Sequence, residues 1–264
     1  MNHSTKCLNC DQEISGNFCS HCGQKTAIHR IDFKNFIKHD FLHGLFHVEK
    51  GMLYTAKESL IRPGKAALDY IEGKRIRYYN VFYFILLLIG LNLFLSNYHA
   101  QLVNEYFDDH PKIVIKDTFG NKFQPFLIKN AKILIFSFVP LFAINSFILF
   151  RKRKLNFSEH LIIAGITFLG ILLINTLDTI VSFLIFTEYF NIIYKILTII
   201  IGITIILLPI FSYYQTFKEY YKKGTFAFRV ILFILLTLLE LYVFAFFIVG
   251  YLSNWKFGDV QFNT

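Results

Sequence analysis

Over most of this chain apolar residues run in long blocks, and the polar positions fall between the blocks. A hydrocarbon core of about 30 Å needs about 20 helical residues, and five stretches qualify: 79–97, 131–150, 160–186, 191–213 and 226–252. The third and fourth are separated by Thr187-Glu188-Tyr189-Phe190, a short polar interruption that reads as a hairpin turn. Three shorter elements precede the first span. Ile31 to Val48 predicts a helix, with Phe33, Phe36, Ile37, Phe41, Leu42, Leu45, Phe46 and Val48 apolar and Asp32, His39, Asp40, His43, His47 and Lys50 in one polar arc. It is too polar to span a bilayer and apolar enough to lie on one. Gly51 to Ile61 reads as a second helix stopped by Arg62-Pro63-Gly64, and Lys65 to Glu72 as a third ended by Gly73.

The expected fold is therefore an all-α integral membrane protein with about five transmembrane helices. The pairs Cys7/Cys10 and Cys19/Cys22 make 1–27 a small N-terminal zinc ribbon, followed by an amphipathic helical collar 28–77, the five-span domain 78–252 and an extracytoplasmic tail 253–264. Between the first two spans, Lys112-Ile113-Val114-Ile115 and Phe119-Gly120-Asn121-Lys122-Phe123 predict at most a small β-hairpin.

Composition agrees with this reading. More than half the residues are hydrophobic, and 32 Phe stand against 5 Pro, unlike a soluble domain. The net charge of +9 raises the question of nucleic acid, but the cations gather at span ends, the pattern of membrane orientation. Nucleic acid is therefore not an expected partner.

The densest clusters are Gly73-Lys74-Arg75-Ile76-Arg77-Tyr78-Tyr79, Arg151-Lys152-Arg153-Lys154, and Lys218, Lys222, Lys223 with Arg229. With five spans all of them fall on one side, which the positive-inside rule makes cytoplasmic. The expected arrangement is multi-pass, with the N-terminus cytoplasmic and the C-terminus extracytoplasmic. No cleavable signal peptide is visible at the start of the sequence.

The most specific motif is Cys7-Leu8-Asn9-Cys10 followed by Cys19-Ser20-His21-Cys22. Two C-x2-C turns can face one ion, Gly16 and Gly23 give the turns backbone freedom, and four thiolates make a closed tetrahedral site for structural Zn(2+). The alternatives are two disulfides or four free thiols. A reducing cytosol disfavours disulfides.

His39, His43 and His47 follow one another at i, i+4, i+8, a spacing that suits a second metal or a pH sensor. A solvated polar stripe is the favoured reading, because three histidines along one helix diverge too far to share an ion.

Within the spans, Asn92, Asn175 and Glu240 fall at a similar depth, about 21–23 Å from the cationic side, with Asp178 one turn farther. Such residues either line an ion or proton path or hydrogen-bond between helices. Interhelical bonding is favoured, since no Lys or Arg lies at matching depth. Glu159-His160, at the inner mouth of the third span, reads as an anchor for the collar before a metal site, and Pro209 as a local loosening of the fourth. There is no Gly-rich phosphate loop, no G-x-S-x-G elbow and no H-E-x-x-H helix, so an enzyme is not expected.

The order of ribbon, Gly51-Met52-Leu53-Tyr54-Thr55, Arg62-Pro63-Gly64, Tyr70-Ile71-Glu72-Gly73-Lys74-Arg75 and Asn156-Phe157-Ser158-Glu159-His160-Leu161 resembles an uncharacterised bacterial family. That family has a four-cysteine zinc ribbon followed by a multi-span membrane domain. The resemblance implies an architecture and, with the sidedness above, the bacterial cytoplasmic (inner) membrane as the location, and no activity. The five-span layout is also similar to the Yip family of eukaryotic trafficking membrane proteins, with no motif in common.

The expected function is a membrane scaffold or adaptor whose ribbon and collar dock a cytosolic or membrane protein partner. The alternative is a small-solute or ion transporter or channel using Asn92, Asn175, Asp178 and Glu240, and a homo-oligomer stays open.

Overall fold

The computed structural model describes residues 6–26, 30–31, 51–106, 137–186, 191–253 and 255. His39, His43 and His47, the 31–48 helix beyond Ile31, the 112–123 hairpin and nearly all of the tail lie outside the described residues. The described chain is helical, with no strand beyond two isolated antiparallel bridges.

In chain order the helices are α1 (Gly51–Ile61), α2 (Pro63–Ile71), α3 (Val81–Tyr106), α4 (Ser137–Leu149), α5 (Phe157–Ser182), α6 (Asn191–Phe217) and α7 (Lys223–Leu252). Four of them, α3, α5, α6 and α7, are long and apolar enough to cross a membrane. α4 is the described part of the expected 131–150 span and is shorter. α5 is followed by a 3-10 turn, Phe183–Phe186, and α6 starts at Asn191; the predicted hairpin turn at 187–190 lies outside the described residues. α6 continues through Pro209 to Phe217.

α3 is longer than the expected 79–97 span. No glycine or proline interrupts Leu91–Tyr106, and the extra turns pack against the end of α5. There His99 Nε2 lies 3.2 Å from the Ser182 carbonyl, and its ring meets Phe183 edge-on at 5.0 Å.

α5 is the central helix, buried almost continuously from Ser158 to Gly170. Its small residues allow neighbours to approach closely, as helices in lipid require in the absence of a hydrophobic force between them. Gly170 faces the Ser59 carbonyl of α1 so closely that a Cβ would lie 2.6 Å from that oxygen. Gly64, at the start of α2, meets α6 even more tightly, with 2.2 Å between a notional Cβ and the Ser212 carbonyl.

α1 and α2 thus form a hairpin wedged against the flanks of α5 and α6, higher than a collar resting on span ends. At about 1.5 Å per residue, Gly170 is about 20 Å along α5 from Phe157. The Gln215 side chain of α6 accepts the Gly64 N–H at 3.1 Å, satisfying a donor at the start of α2 that Arg62 does not cap.

The charges of the hairpin close on one another. Glu58 pairs with Arg62, Arg62 reaches Asp69 at 3.4 Å, and Lys74 holds Asp69 at 2.7 Å. A Gly64→Ala substitution should cost about 2 kcal/mol, lowering the thermal midpoint of detergent-solubilised protein by several degrees, while Gly224→Ala at an open position leaves it unchanged.

Candidate metal centre and intramembrane polar clusters

The two halves of the ribbon fold alike. The Cys7 N–H bonds the Gln12 carbonyl at 2.8 Å and the Asp11 N–H the Cys7 carbonyl at 2.9 Å. The second half repeats this with Cys19 to Gln24 and Gly23 to Cys19, both at 2.8 Å. Bridges Lys6–Glu13 and Phe18–Lys25 close each turn into a knuckle. The left-handed residue is Gly23 (φ 75°) in the second knuckle and Asp11 (φ 60°) in the first. Gly16, expected to serve the first turn, stands in open space outside that region of φ. Asp, like Asn, tolerates the left-handed conformation, so glycine is not required at that position.

All four thiols are free and their sulfurs lie within 4.8 Å of one another. Cys7–Cys22 measures 3.6 Å and Cys10–Cys19 3.5 Å. Four sulfurs about 2.3 Å from a central ion stand about 3.8 Å apart, so the donor set and its dimensions fit a tetrahedral metal. Electrostatics point the same way. Backbone N–H groups of Cys22 and then His21 hold the Cys19 thiol down at about 6. Cys10 is favoured as thiolate by the Gln12 N–H, yet burial and the sulfurs of Cys19, Cys22 and Cys7 push it up to about 12. Sulfurs this close resist ionising together, and a dication removes that conflict.

Both knuckles are fastened to the basic segment before α3. Arg77 Nε donates to Asn9 Oδ1 at 2.9 Å, and its Nη2 donates to the Asn9 carbonyl. On the other knuckle the Ile76 N–H reaches Gln24 Oε1 at 3.5 Å, and the Ile76 side chain lies against Gly23. The same segment is held from above. The Tyr79 N–H donates to Thr55 Oγ1 at 2.7 Å, and Gly51 packs on the backbone of Arg77 to Tyr79. Asn80 then caps α3, its Oδ1 accepting the Phe82 N–H at 3.0 Å.

Glu159 serves as the anchor its position suggested. Arg30, between ribbon and hairpin, binds both its carboxylate oxygens at 2.8 Å, which raises the pKa of the guanidinium. Asn156 and Glu159 form a capping box at the start of α5, and Asn156 Nδ2 also donates to the Ile31 carbonyl at 2.8 Å. His160 is buried beside Ser146 of α4 and stacked on Phe217.

The four intramembrane candidates separate into clusters. Asn175 Nδ2 donates to Asn92 Oδ1 at 3.2 Å, and Asn92 Nδ2 donates to Thr176 Oγ1 and the Leu88 carbonyl, each at 2.9 Å. Glu240 instead accepts from Asn145 Nδ2 of α4 at 2.9 Å. Asp178 has a buried carboxylate oxygen without a hydrogen-bond partner among the described residues. Asn145 and Thr176 were not foreseen. Asn145 is the lone amide in the apolar run Ile133–Phe150, a signal the sequence does carry, whereas nothing distinguishes Thr176 from threonines that only bond their own helix.

In comparison with known proteins, a family described as protein of unknown function (DUF3667) matches residues 49–91, which hold the hairpin, the basic segment and the first part of α3. No curated protein and no solved structure matches the chain.

Metal binding requires thiolates, so protons compete with it, and the stability the ion adds is present at neutral pH and lost on acidification. Purified protein should hold one tightly bound metal per chain by mass spectrometry at pH 7.5 and release it below about pH 5. Cys10→Ser should abolish binding, whereas Arg77→Ala should retain the metal and increase protease cutting between ribbon and α1.

Proposed function

We propose that this protein is a bacterial inner-membrane scaffold or adaptor whose zinc-loaded ribbon docks a protein partner at the cytoplasmic face. The carrying observation is that both knuckles are fastened to the segment before α3 while Leu8 and Phe18 stay 42% and 58% exposed. A ribbon so tied does not wander on a tether. It offers an apolar surface at a fixed position relative to the spans, and exposed apolar residues on a rigid element suit recognition. Four sulfur ligands leave no open position, so the ion's role is structural. The cationic clusters support a cytoplasmic N-terminus and an extracytoplasmic C-terminus.

A second reading is favoured by the carboxylates among the spans. An acid in lipid is costly unless it faces the bundle interior or a wet cavity, and the Asn145–Glu240 pair, with an Asp178 oxygen that has no partner among the described residues, suits a small-solute or ion path that also uses Asn92 and Asn175.

Crosslinking in native membranes separates the two. The adaptor reading predicts that one partner is recovered with the intact protein, lost with Leu8→Ala/Phe18→Ala, and kept with Glu240→Gln. Retained recovery in the double variant, with proteoliposome flux abolished by Glu240→Gln, establishes transport instead. For sidedness, a phosphatase reporter fused after Thr264 should be active only outside the cytoplasm.

A further inference from the structure

The cations at the ribbon-side ends of the spans do more than set orientation. The turn Arg151–Lys154 between α4 and α5 and the turn Lys218–Lys222 between α6 and α7 meet at Tyr221. The Lys152 backbone N–H donates to the Tyr221 hydroxyl at 3.0 Å, and Lys152 Nζ lies 5.1 Å from the ring centroid. Arg229, from the second turn of α7, places its guanidinium carbon 4.8 Å from the same centroid. The two cations therefore lie within about 10 Å of each other, the sum of those distances.

The ring that joins them is held fast. Tyr221 is 7% exposed, with Phe150 edge-on to it at 6.0 Å. Cation–π attraction offsets only part of the repulsion between two like charges. Among the described residues neither cation has a carboxylate within ion-pair distance. Arg229 is only partly engaged: Nη1 donates to the Leu149 carbonyl, and among the described residues the buried Nε has no hydrogen-bond partner. Arg153 differs, being engaged with the Thr216 carbonyl at 2.6 Å and with Glu72 at 3.7 Å. Exposed Arg151, Lys154, Lys222 and Lys223 add positive charge, and Glu219 is the one acid in the two turns.

We infer that this corner binds a phosphate, and that its source is the head group of an anionic membrane lipid, with Lys152 and Arg229 as the charged ligands. Guanidinium and ammonium donors suit phosphate oxygens, and basic pockets between spans on the cytoplasmic side suit acidic head groups. The position favours lipid over a dissolved anion. The cations sit where α4 and α6 end and α7 begins, and Lys218 stacks over Tyr214 of α6 at 5.1 Å, an aromatic and cationic edge of the kind found in the head-group layer. This site is independent of whether the ribbon recruits a partner.

The test uses full-length, metal-loaded protein in detergent, titrated with phosphatidylglycerol or phosphatidylcholine of the same chains and followed by native mass spectrometry. Wild type should bind phosphatidylglycerol at least about tenfold more tightly than phosphatidylcholine. Lys152→Gln and Arg229→Gln should each lose most of that preference, and Lys195→Gln, a cation at the far end of α6, should keep it. Because Arg229→Gln also removes the bond to Leu149, Lys152→Gln with an unchanged melting profile is the deciding variant. Displacement of the lipid by millimolar inorganic phosphate assigns the corner to the free anion, and persistence assigns it to the head group. Equal binding of the two lipids by wild type, or an undiminished preference in Lys152→Gln, overturns the proposal.

Discussion

The short irregular segment from Gly73 to Asn80, cationic at Lys74, Arg75 and Arg77, must leave α2 and begin an apolar helix within a few residues. The Gly73 and Lys74 N–H groups still reach the Tyr70 and Asp69 carbonyls of α2, and the Tyr78 N–H reaches the Arg75 carbonyl, but Ile76 and Tyr79 turn to side chains, and in or near lipid each unpaired N–H is costly. The segment is held from two directions, through the backbone N–H groups of Ile76 and Tyr79 and the side chain of Arg77. Asn9 and Gln24 of the ribbon meet Arg77 and Ile76 from one side, while Thr55 takes the Tyr79 N–H from the other. Gly51 fits because a Cβ there would sit 2.9 Å from the Arg77 carbonyl. Ribbon, hairpin and first span are thereby one mechanical unit, and the family match at 49–91 falls on its hairpin and first-span portions.

The hairpin brings charge to a place where charge is expensive, and its composition resolves this locally. Glu58, Arg62, Asp69 and Lys74 neutralise one another within the hairpin, with the Tyr78 hydroxyl 3.4 Å from Asp69. Removing one partner of such a set leaves another buried and uncompensated, which destabilises far more than the pair itself contributes. The helices around it approach through Gly64 and Gly170, and the hydroxyl contact Thr167–Ser212 at 2.6 Å ties α5 to α6. Packing of small residues and hydroxyls is how helices associate when lipid is as apolar as their side chains. α7 contrasts with this, remaining mostly exposed apart from contacts such as Phe233 with Tyr213 at 4.5 Å between ring centroids.

Much of this was legible in the sequence because it rests on local rules. The C-x2-C pairs specify knuckles, Arg62-Pro63-Gly64 specifies the break between α1 and α2, and α1 has the bounds that its flanking residues predict. What stayed hidden depends on distance in the fold. Hydropathy shows which residues are apolar but not that Gly170 faces a carbonyl of α1, so the depth of the hairpin was invisible. Depth along separate helices grouped Asn92, Asn175 and Glu240. The rotation and placement of the helices, which that reckoning ignores, instead pair Glu240 with Asn145. The extension of α3 to Tyr106 follows from packing on α5, where polarity alone suggested a loop.

Hydrogen exchange by mass spectrometry on the full-length protein, with the metal bound and then chelated, tests most directly whether ribbon and hairpin are one unit. The account predicts that stripping the metal accelerates exchange in residues 6–26 and, together with them, in Gly51 to Tyr79, while the interior of α5 is unchanged. Faster exchange confined to the ribbon would contradict it.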